Sequence, residues 1–164
     1  MRNHALLLLA CLGLLCGPQP MSAQPQAEEL GCGPRKQKFS VARHKGEHPA
    51  PEPSPGKAIV YVIKGFGKIG REGAYRLGVN GKWVGANTKN TYYYFESEPG
   101  LLKLCVEGSW KKGMQFLTVE PGESYYLYLN VGFQVSNEGI SQLSEEEGKK
   151  LVQKYQYITF QLKQ

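Results

Sequence analysis

The chain has 164 residues, which is the length of one domain. Its 20 Lys and Arg residues outnumber 14 acidic residues, all of them Glu, so the net charge of +6 is mildly basic. Such a charge is typical of an ordinary solvated surface, and in an exported protein it favours anionic envelope surfaces over nucleic acid. We therefore expect no nucleic-acid partner.

The amino terminus predicts an export signal over residues 1–23. Arg2 provides the positive charge, residues 5–16 form an apolar run, and Ala23 is a small residue before a cleavage point. Because the run is too short to anchor a chain across a bilayer, we expect a periplasmic or secreted product without a transmembrane span. The alternative is a lipoprotein anchored through Cys11, since the stretch that ends there resembles a bacterial lipobox.

Residues 24–56 predict an extended amino-terminal arm, because they lack periodicity and end in a proline-rich stretch. The folded domain is then expected over residues 57–164. The arm contains HKGEH at 44–48, which matches the zinc-protease pattern H-x-x-E-H. That pattern binds zinc only on a helix, and Gly46 and the prolines that follow oppose a helix. We expect a solvated linker and no metal site.

From residue 57 onward the pattern is that of β-strands. Asn80-Gly81 between two apolar segments is typical of a tight hairpin, and Pro99-Gly100 and Pro121-Gly122 mark two further turns. Short strands separated by such turns predict a mainly β protein, an antiparallel β-sandwich. We predict about seven strands, over residues 59–63, 75–79, 82–84, 91–95, 102–106, 114–120 and 125–131.

One helix is predicted near the carboxy terminus. Ser144 is a suitable N-cap, and Glu147 three residues later completes a capping box. Glu145 favours the positive end of the helix dipole, and Lys154 favours the negative end. The alternation over residues 157–162 indicates a further strand after the helix.

The stretch that contains Gly65, Gly67 and Gly70 spells G-x-G-x-x-G after an apolar run, which is the dinucleotide-binding pattern. That reading requires a helix after the third glycine, and Gly73, with further glycines beyond it, opposes one. It also requires an acidic residue about 20 positions later, and none follows Glu72 until residue 96. We predict instead a loop between two antiparallel strands, with no bound nucleotide and no cofactor.

Removal of residues 1–23 leaves Cys32 and Cys105 as the cysteines of the exported chain. An even pair in an exported protein suggests a disulfide. Cys105 alternates with Leu104 and Val106, so it points away from the apolar face of its strand, toward a segment that crosses the outside of the sheet. We predict that Cys32 lies in that segment and is bonded to Cys105. The alternative is two free or intermolecular thiols.

Two tyrosine-rich runs, at 92–95 and 125–128, are the most unusual feature of the sequence. Alternation places Tyr92 and Tyr94 on one face of the first strand, opposite Tyr93 and the following Phe. One face belongs to the core. The other is either packed by ordinary cross-strand contacts or forms a surface aromatic strip for a glycan or protein partner. For the second case we name Trp83, Tyr92 and Tyr94 as binding residues.

Six runs of turn and strand residues follow one another between about residues 55 and 155: PGKAIVYV (55–62), GVNGKWVG (78–85), NTYY (90–93), EPG (98–100), EPGESYYL (120–127) and EEGK (146–149). In order and spacing they resemble a bacterial family of exported domains of unknown function, number 2846. The resemblance implies a signal-bearing or lipoprotein-like protein of the cell envelope. It carries over no catalytic residues, because none are established for that family.

The sequence lacks the residues from which the common hydrolytic active sites are built. The histidines that remain after residue 23 lie in the arm, and no Asp is present to orient them. We therefore expect no enzyme, but a non-enzymatic β-sandwich module of the bacterial cell envelope that binds a protein or a glycan. The alternative is a glycan-active enzyme of unfamiliar mechanism. A deep cleft containing Glu beside Trp83, Tyr92 and Tyr94 would favour the enzyme, and a flat or shallow aromatic strip would favour the binding module.

Overall fold

The computed structural model describes residues 32–65, 74–108, 112–130 and 139–163. Within these ranges the chain forms ten β-strands and one α-helix, arranged as two sheets with a common core. The predicted mainly β sandwich with a carboxy-terminal helix is therefore confirmed. In the part of the chain described, no helix has the length and apolar character needed to cross a membrane.

The larger sheet has six strands and the smaller has four. In spatial order, the six-stranded sheet contains β1 (Lys38–His44), β10 (Gln156–Lys163), β5 (Thr91–Ser97), β2 (Ala58–Lys64), β8 (Ser124–Leu129) and β9 (Ile140–Leu143). The four-stranded sheet contains β4 (Lys82–Asn87), β3 (Tyr75–Val79), β6 (Gly100–Glu107) and β7 (Lys112–Val119). The helix α1 (Glu145–Lys154) lies between β9 and β10 in the chain. The four-stranded sheet is antiparallel, as predicted, whereas the pairs β10–β5 and β2–β8 of the larger sheet are parallel.

The main core lies between the two sheets. Val60 and Val62 of β2 and Leu127 of β8 are fully buried there, together with Leu77 of β3 and Leu104 of β6. These residues alternate with residues on the opposite face of each strand, which is the period expected of strands covered by another layer. Burial of each such side chain contributes about 1.5–3 kcal/mol to folding.

A disulfide between Cys32 and Cys105 joins the amino-terminal segment to the outer face of the four-stranded sheet, with the two Cα atoms 4.9 Å apart. Cys105 lies on the face opposite the main core and packs with Trp83. Gly78 leaves room for the segment, because a Cβ at that position would lie 1.7 Å from the Cys32 carbonyl oxygen. The predicted disulfide is confirmed.

The predicted arm is not a solvated linker. Residues 38–44 form β1, and all seven pair with β10 at the edge of the six-stranded sheet. The prediction missed this strand because KFSVARH shows no clean alternation, and its partner lies at the other end of the chain. A second strand that was missed, β9, has only four residues. The domain therefore includes residues from the predicted arm, and the described residues form ten strands, where about seven and a further strand after the helix were predicted.

Neither the glycine-rich stretch that resembles a dinucleotide-binding motif nor the HKGEH stretch that resembles a zinc-protease motif begins a helix in the residues described. Residues 66–73 of the glycine-rich stretch lie outside the described residues. The strands that flank the stretch, β2 and β3, belong to different sheets, so they are not the antiparallel pair that was predicted. Residues 45 and 46 of the HKGEH stretch form a turn after β1, with Gly46 at φ +77°, and not a helix. Within the ranges given above, no three His, Cys, Asp or Glu side chains are grouped so as to hold a metal ion.

We expect Cys105→Ser to lower the melting temperature. The bond closes a loop across a sequence separation of 73 residues, and loss of such a constraint on the unfolded chain costs about 2–4 kcal/mol. For a chain of this size the shift is about 5–15 °C by calorimetry. Cys32→Ser serves as the matched variant, because it removes the same bond from the other side. Melting temperatures that are unchanged in both variants would contradict the prediction.

Candidate binding groove

Three tyrosines lie side by side across neighbouring strands on the outer face of the six-stranded sheet. Tyr61 lies on β2, between β5 and β8. It is directly opposite Tyr94 of β5 on one side and Tyr126 of β8 on the other. The rings of Tyr61 and Tyr126 are stacked, with centroids 4.9 Å apart and planes 9° apart. The ring of Tyr94 is tilted against Tyr61 at 5.7 Å. We call Tyr94, Tyr61 and Tyr126 the tyrosine row.

Helix α1 covers one end of this row. Ser144 is the N-cap, and its side chain and that of Glu147 form the predicted capping box. The helix meets the sheet at Gly148, where a Cβ would lie 2.1 Å from Cγ of Tyr126, so only glycine allows this approach. Val152, one turn further on, is buried against the same face.

Residues 49–55, which we call the strap, cross the same face beside the helix. The Tyr92 hydroxyl donates to the Pro49 carbonyl oxygen (3.0 Å), and the Tyr61 hydroxyl donates to the Pro51 carbonyl oxygen (2.7 Å). At the far end of the strap, the Ser54 amide and hydroxyl donate to one carboxylate oxygen of Glu96 (2.9 and 2.5 Å). The stretch predicted to be a proline-rich linker is therefore bound to the sheet.

Burial sets the protonation of these tyrosines. It raises the pKa of Tyr61 and of Tyr92 well above the ordinary value, and neighbouring tyrosines add to the effect. Burial and a hydrogen bond with Tyr94 raise the pKa of Tyr157 to about 12. The hydroxyls are protonated at neutral pH, as in any tyrosine, and the raised pKa extends this state further into alkaline pH, so that those of Tyr61 and Tyr92 act as donors to the strap.

A groove of about 530 Å³ lies between the strap and helix α1. The stacked rings of Tyr61 and Tyr126 and the side chain of Val152 line its base and are almost fully buried, and Ala50, Pro51 and Pro53 of the strap add apolar surface. Charged and polar groups also line it: Glu52, Gln153, and Glu145 with Lys149, which form an ion pair of 2.6 Å. Such a lining offers a ligand both polar partners and apolar contact.

The residues predicted for binding do not come together. Tyr92 is fully buried beneath the strap, and Tyr94 is half-buried and stacked on Tyr157. Trp83 lies on the outer face of the other sheet, where its indole N–H donates to the Pro34 carbonyl (3.0 Å) and the Arg76 guanidinium covers its ring at 4.3 Å. The aromatic face is packed by cross-strand contacts and a cover, and is not the surface strip that was considered.

Sequence reasoning missed the strap and the helix as the two sides of the groove. One signal for the strap was present, since Pro49, Pro51, Pro53 and Pro55 recur with the same period of two as the outward-facing residues of a strand. Nothing in the sequence indicated that Glu145 and Lys149 line the groove, because their position depends on how the helix lies on the sheet.

Comparison with known proteins adds one relative. An uncharacterized protein of Haemophilus influenzae is 26% identical over 106 residues, which cover 62% of this chain and 61% of that protein. The chain thus spans less than two thirds of the length of this relative. No family model matches the chain, so membership of the family of domains of unknown function 2846 stays a prediction. No solved structure matches it either.

We expect Gly148→Ala to destabilise the protein. In an exposed helix, Ala is favoured over Gly by about 1 kcal/mol. Here the added Cβ would meet the Tyr126 ring, and such overpacking costs about 1–3 kcal/mol. The control is Lys150→Ala on the exposed side of α1, which should change the free energy of unfolding by less than about 0.5 kcal/mol. A Gly148→Ala variant more stable than the parent in urea unfolding would contradict this packing.

We also expect the end of the strap to loosen in acid. The hydrogen bonds from Ser54 hold the pKa of Glu96 below its ordinary 4.5. The folded state therefore favours the carboxylate, so this contribution to stability is complete above about pH 4.5 and is lost as the pH falls through the lowered pKa. Glu96→Gln should reduce the hydrogen-exchange protection of the Ser54 amide at pH 7 to the level that the parent shows in acid.

The matched control for this variant is Glu98→Gln. Glu98 lies two residues further along the chain and pairs with Lys57 (3.0 Å) rather than with the strap. Its removal should leave the protection of Ser54 unchanged. Equal protection of Ser54 in the parent and in Glu96→Gln at pH 7 would show that the carboxylate does not hold the strap.

Proposed function

We propose that the protein is a non-enzymatic, exported module of the bacterial cell envelope that binds an extended segment of a protein partner in the groove beside the strap. One observation carries the proposal: the tyrosine-lined face already binds an extended peptide, the protein's own strap. That binding uses main-chain carbonyls as acceptors together with apolar contact. Tyr61 and Tyr126 of the same face also line the groove, so a second extended peptide there would meet related chemistry.

The state of the aromatic rings favours a peptide over a glycan. A sugar ring stacks on the face of an aromatic side chain, so that face must be free of other contacts. Tyr126 is covered by Tyr61 on one face, and Gly148 of α1 packs against the same ring. Tyr61 also contacts Tyr94. Rings packed in this way offer edges and hydroxyl groups to the groove, which suit an extended peptide with apolar side chains.

Export is supported by two features. The first 23 residues have the pattern of a signal peptide, and the disulfide is of the kind that persists in oxidising compartments. We place the protein in the periplasm or outside the cell, with a lipoprotein anchored through Cys11 as the alternative.

A glycan-active enzyme is the second candidate, because Glu52 and Glu145 both line the groove and glycosidases use paired carboxylates. The carboxylate of Glu145 is already paired with Lys149 at 2.6 Å, and this pairing opposes a role as a proton donor or nucleophile. The groove therefore supports binding better than hydrolysis.

The groove can be tested by blocking it. The full-length protein, purified from cells, is used to select from a phage-displayed library of random linear peptides, and the selected sequences are then measured as synthetic peptides. Gln153→Trp fills the groove from the helix, so we expect it to weaken binding by at least about tenfold. The control is Lys150→Trp, on the same helix but outside the groove, which should leave affinity unchanged.

Two outcomes would contradict the proposal. One is a set of selected peptides that bind the parent and Gln153→Trp equally, which would place peptide binding elsewhere. The other is an absence of selected peptides combined with binding or cleavage of envelope glycans that Gln153→Trp abolishes, which would favour the enzyme.

A further inference from the structure

The two sheets have four edge strands, and three of them are protected against pairing with another chain. Strand β1 carries the basic side chains of Lys38 and Arg43, and β9 has only four residues. Strand β4 has a register shift against β3 between Leu77 and Gly78, and it lies against β10 of the other sheet. Charges, shortness, bulges and a cover are the usual means by which proteins block edge pairing.

Strand β7 is less protected: it contacts β9 of the other sheet and begins with Lys112, but it has no register shift against β6. It has eight residues, and seven of them, GMQFLTV at 113–119, carry no charge and no proline. Within the described ranges, β6 is its neighbour on one side and no strand pairs with its other side. A long, uncharged edge strand presents backbone N–H and C=O groups to any strand that approaches it.

The surface beside this edge is apolar. Phe116 of β7 is 61% exposed and Leu101 of β6 is 64% exposed, the highest values among the exposed large hydrophobic side chains of the described residues. Leu101 is opposite Thr118, and Phe116 is opposite Lys103, so the two side chains are diagonal neighbours on one face. A partner strand at the β7 edge would lie directly beside Phe116, with Leu101 one strand further from it.

The sequence of β7 complements itself when the strand is reversed. In an antiparallel pair centred on Phe116, each residue meets the one equally far on the other side of that position. Lys112 then lies opposite Glu120 of the second copy, and Met114 lies opposite its Thr118. Opposite charges thus meet at both ends of the pair. Side chains that face away from the core in one copy lie opposite side chains that face away from the core in the other.

We propose that β7 pairs with β7 of a second copy of this chain, antiparallel and centred on Phe116. The pairing joins two four-stranded sheets into one continuous eight-stranded sheet and brings the Phe116 side chains of the two copies into contact. The interface lies on the sheet opposite the groove, so it does not depend on the proposed peptide binding.

Sedimentation velocity of the full-length protein should show a dimer at about 100 µM, a concentration at which an interface of micromolar affinity is nearly saturated. Phe116→Lys places two like charges at the two-fold axis, so it should raise the dissociation constant by about a hundredfold. Because Phe116 is exposed in the monomer, circular dichroism of this variant should be unchanged. Leu162→Lys is the control, since Leu162 is also an exposed large hydrophobic residue, 49% exposed, but lies on β10.

Charge exchange tests the register. Glu120→Lys should weaken the dimer because Lys then faces Lys112 of the partner copy. Lys112→Glu should weaken it in the same way, and circular dichroism checks that loss of the ion pair of Lys112 with Glu107 of its own chain (3.0 Å) leaves the fold unchanged. The double variant should restore dimerisation toward the parental level. A monomer at about 100 µM, a Phe116→Lys variant that remains dimeric, equal loss in Leu162→Lys, or no restoration in the double variant would each overturn the proposal.

Discussion

The arrangement of this domain depends on the burial of β2 on both of its faces. All seven residues from Ala58 to Lys64 are buried. Because successive side chains of a strand point to opposite sides, each side needs its own cover. The four-stranded sheet covers Val60 and Val62, whereas Ile59, Tyr61 and Ile63 need a second layer, which α1 and the strap provide. A sandwich with one solvated face would leave three large side chains in water, at about 1.5–3 kcal/mol each.

Tyrosine suits the boundary between this sheet and a proline-rich cover. Proline has no N–H, so the strap brings carbonyl acceptors without a matching set of donors. The hydroxyls of Tyr61 and Tyr92 donate to two of these carbonyls, two residues apart. Phenylalanine would bury the same ring but would leave those carbonyls without these protein donors. The fixed φ of proline also lowers the entropy lost when the strap is ordered.

Much of the fold could be predicted because its signals are local. The turn Asn80-Gly81 predicted the β3–β4 hairpin, and alternation placed Tyr92 and Tyr94 on one face of β5. Strand β1 could not be predicted, since its sequence is irregular and only pairing with distant β10 makes it a strand. Predictions for the site failed for a similar reason. An aromatic face looks the same in sequence whether solvent or the strap covers it, and Trp83 lies under a segment that is held by the disulfide.

The groove exists because the two elements that cover the sheet, helix α1 and the strap, do not hydrogen-bond to each other along their length. Outside its first and last turns a helix satisfies its own backbone groups, and the prolines of the strap have no N–H to donate, so the helix and the strap cannot form a continuous ladder of hydrogen bonds with each other. The two approach each other where Nδ1 of His48 lies 3.1 Å from the Val152 carbonyl oxygen, and the groove lies alongside this contact.

A chain that enters the groove can supply what both covers lack. The backbone of an extended peptide carries N–H donors that can reach strap carbonyls, and its side chains can pack on Ala50, Pro51 and the small exposed parts of the tyrosine rings. Sugar hydroxyls could also donate to carbonyls, but a sugar would find the faces of Tyr61 and Tyr126 already in contact with each other. The feature that separates the two ligands is therefore the stacking of the tyrosines, which follows from the register of β2 against β8.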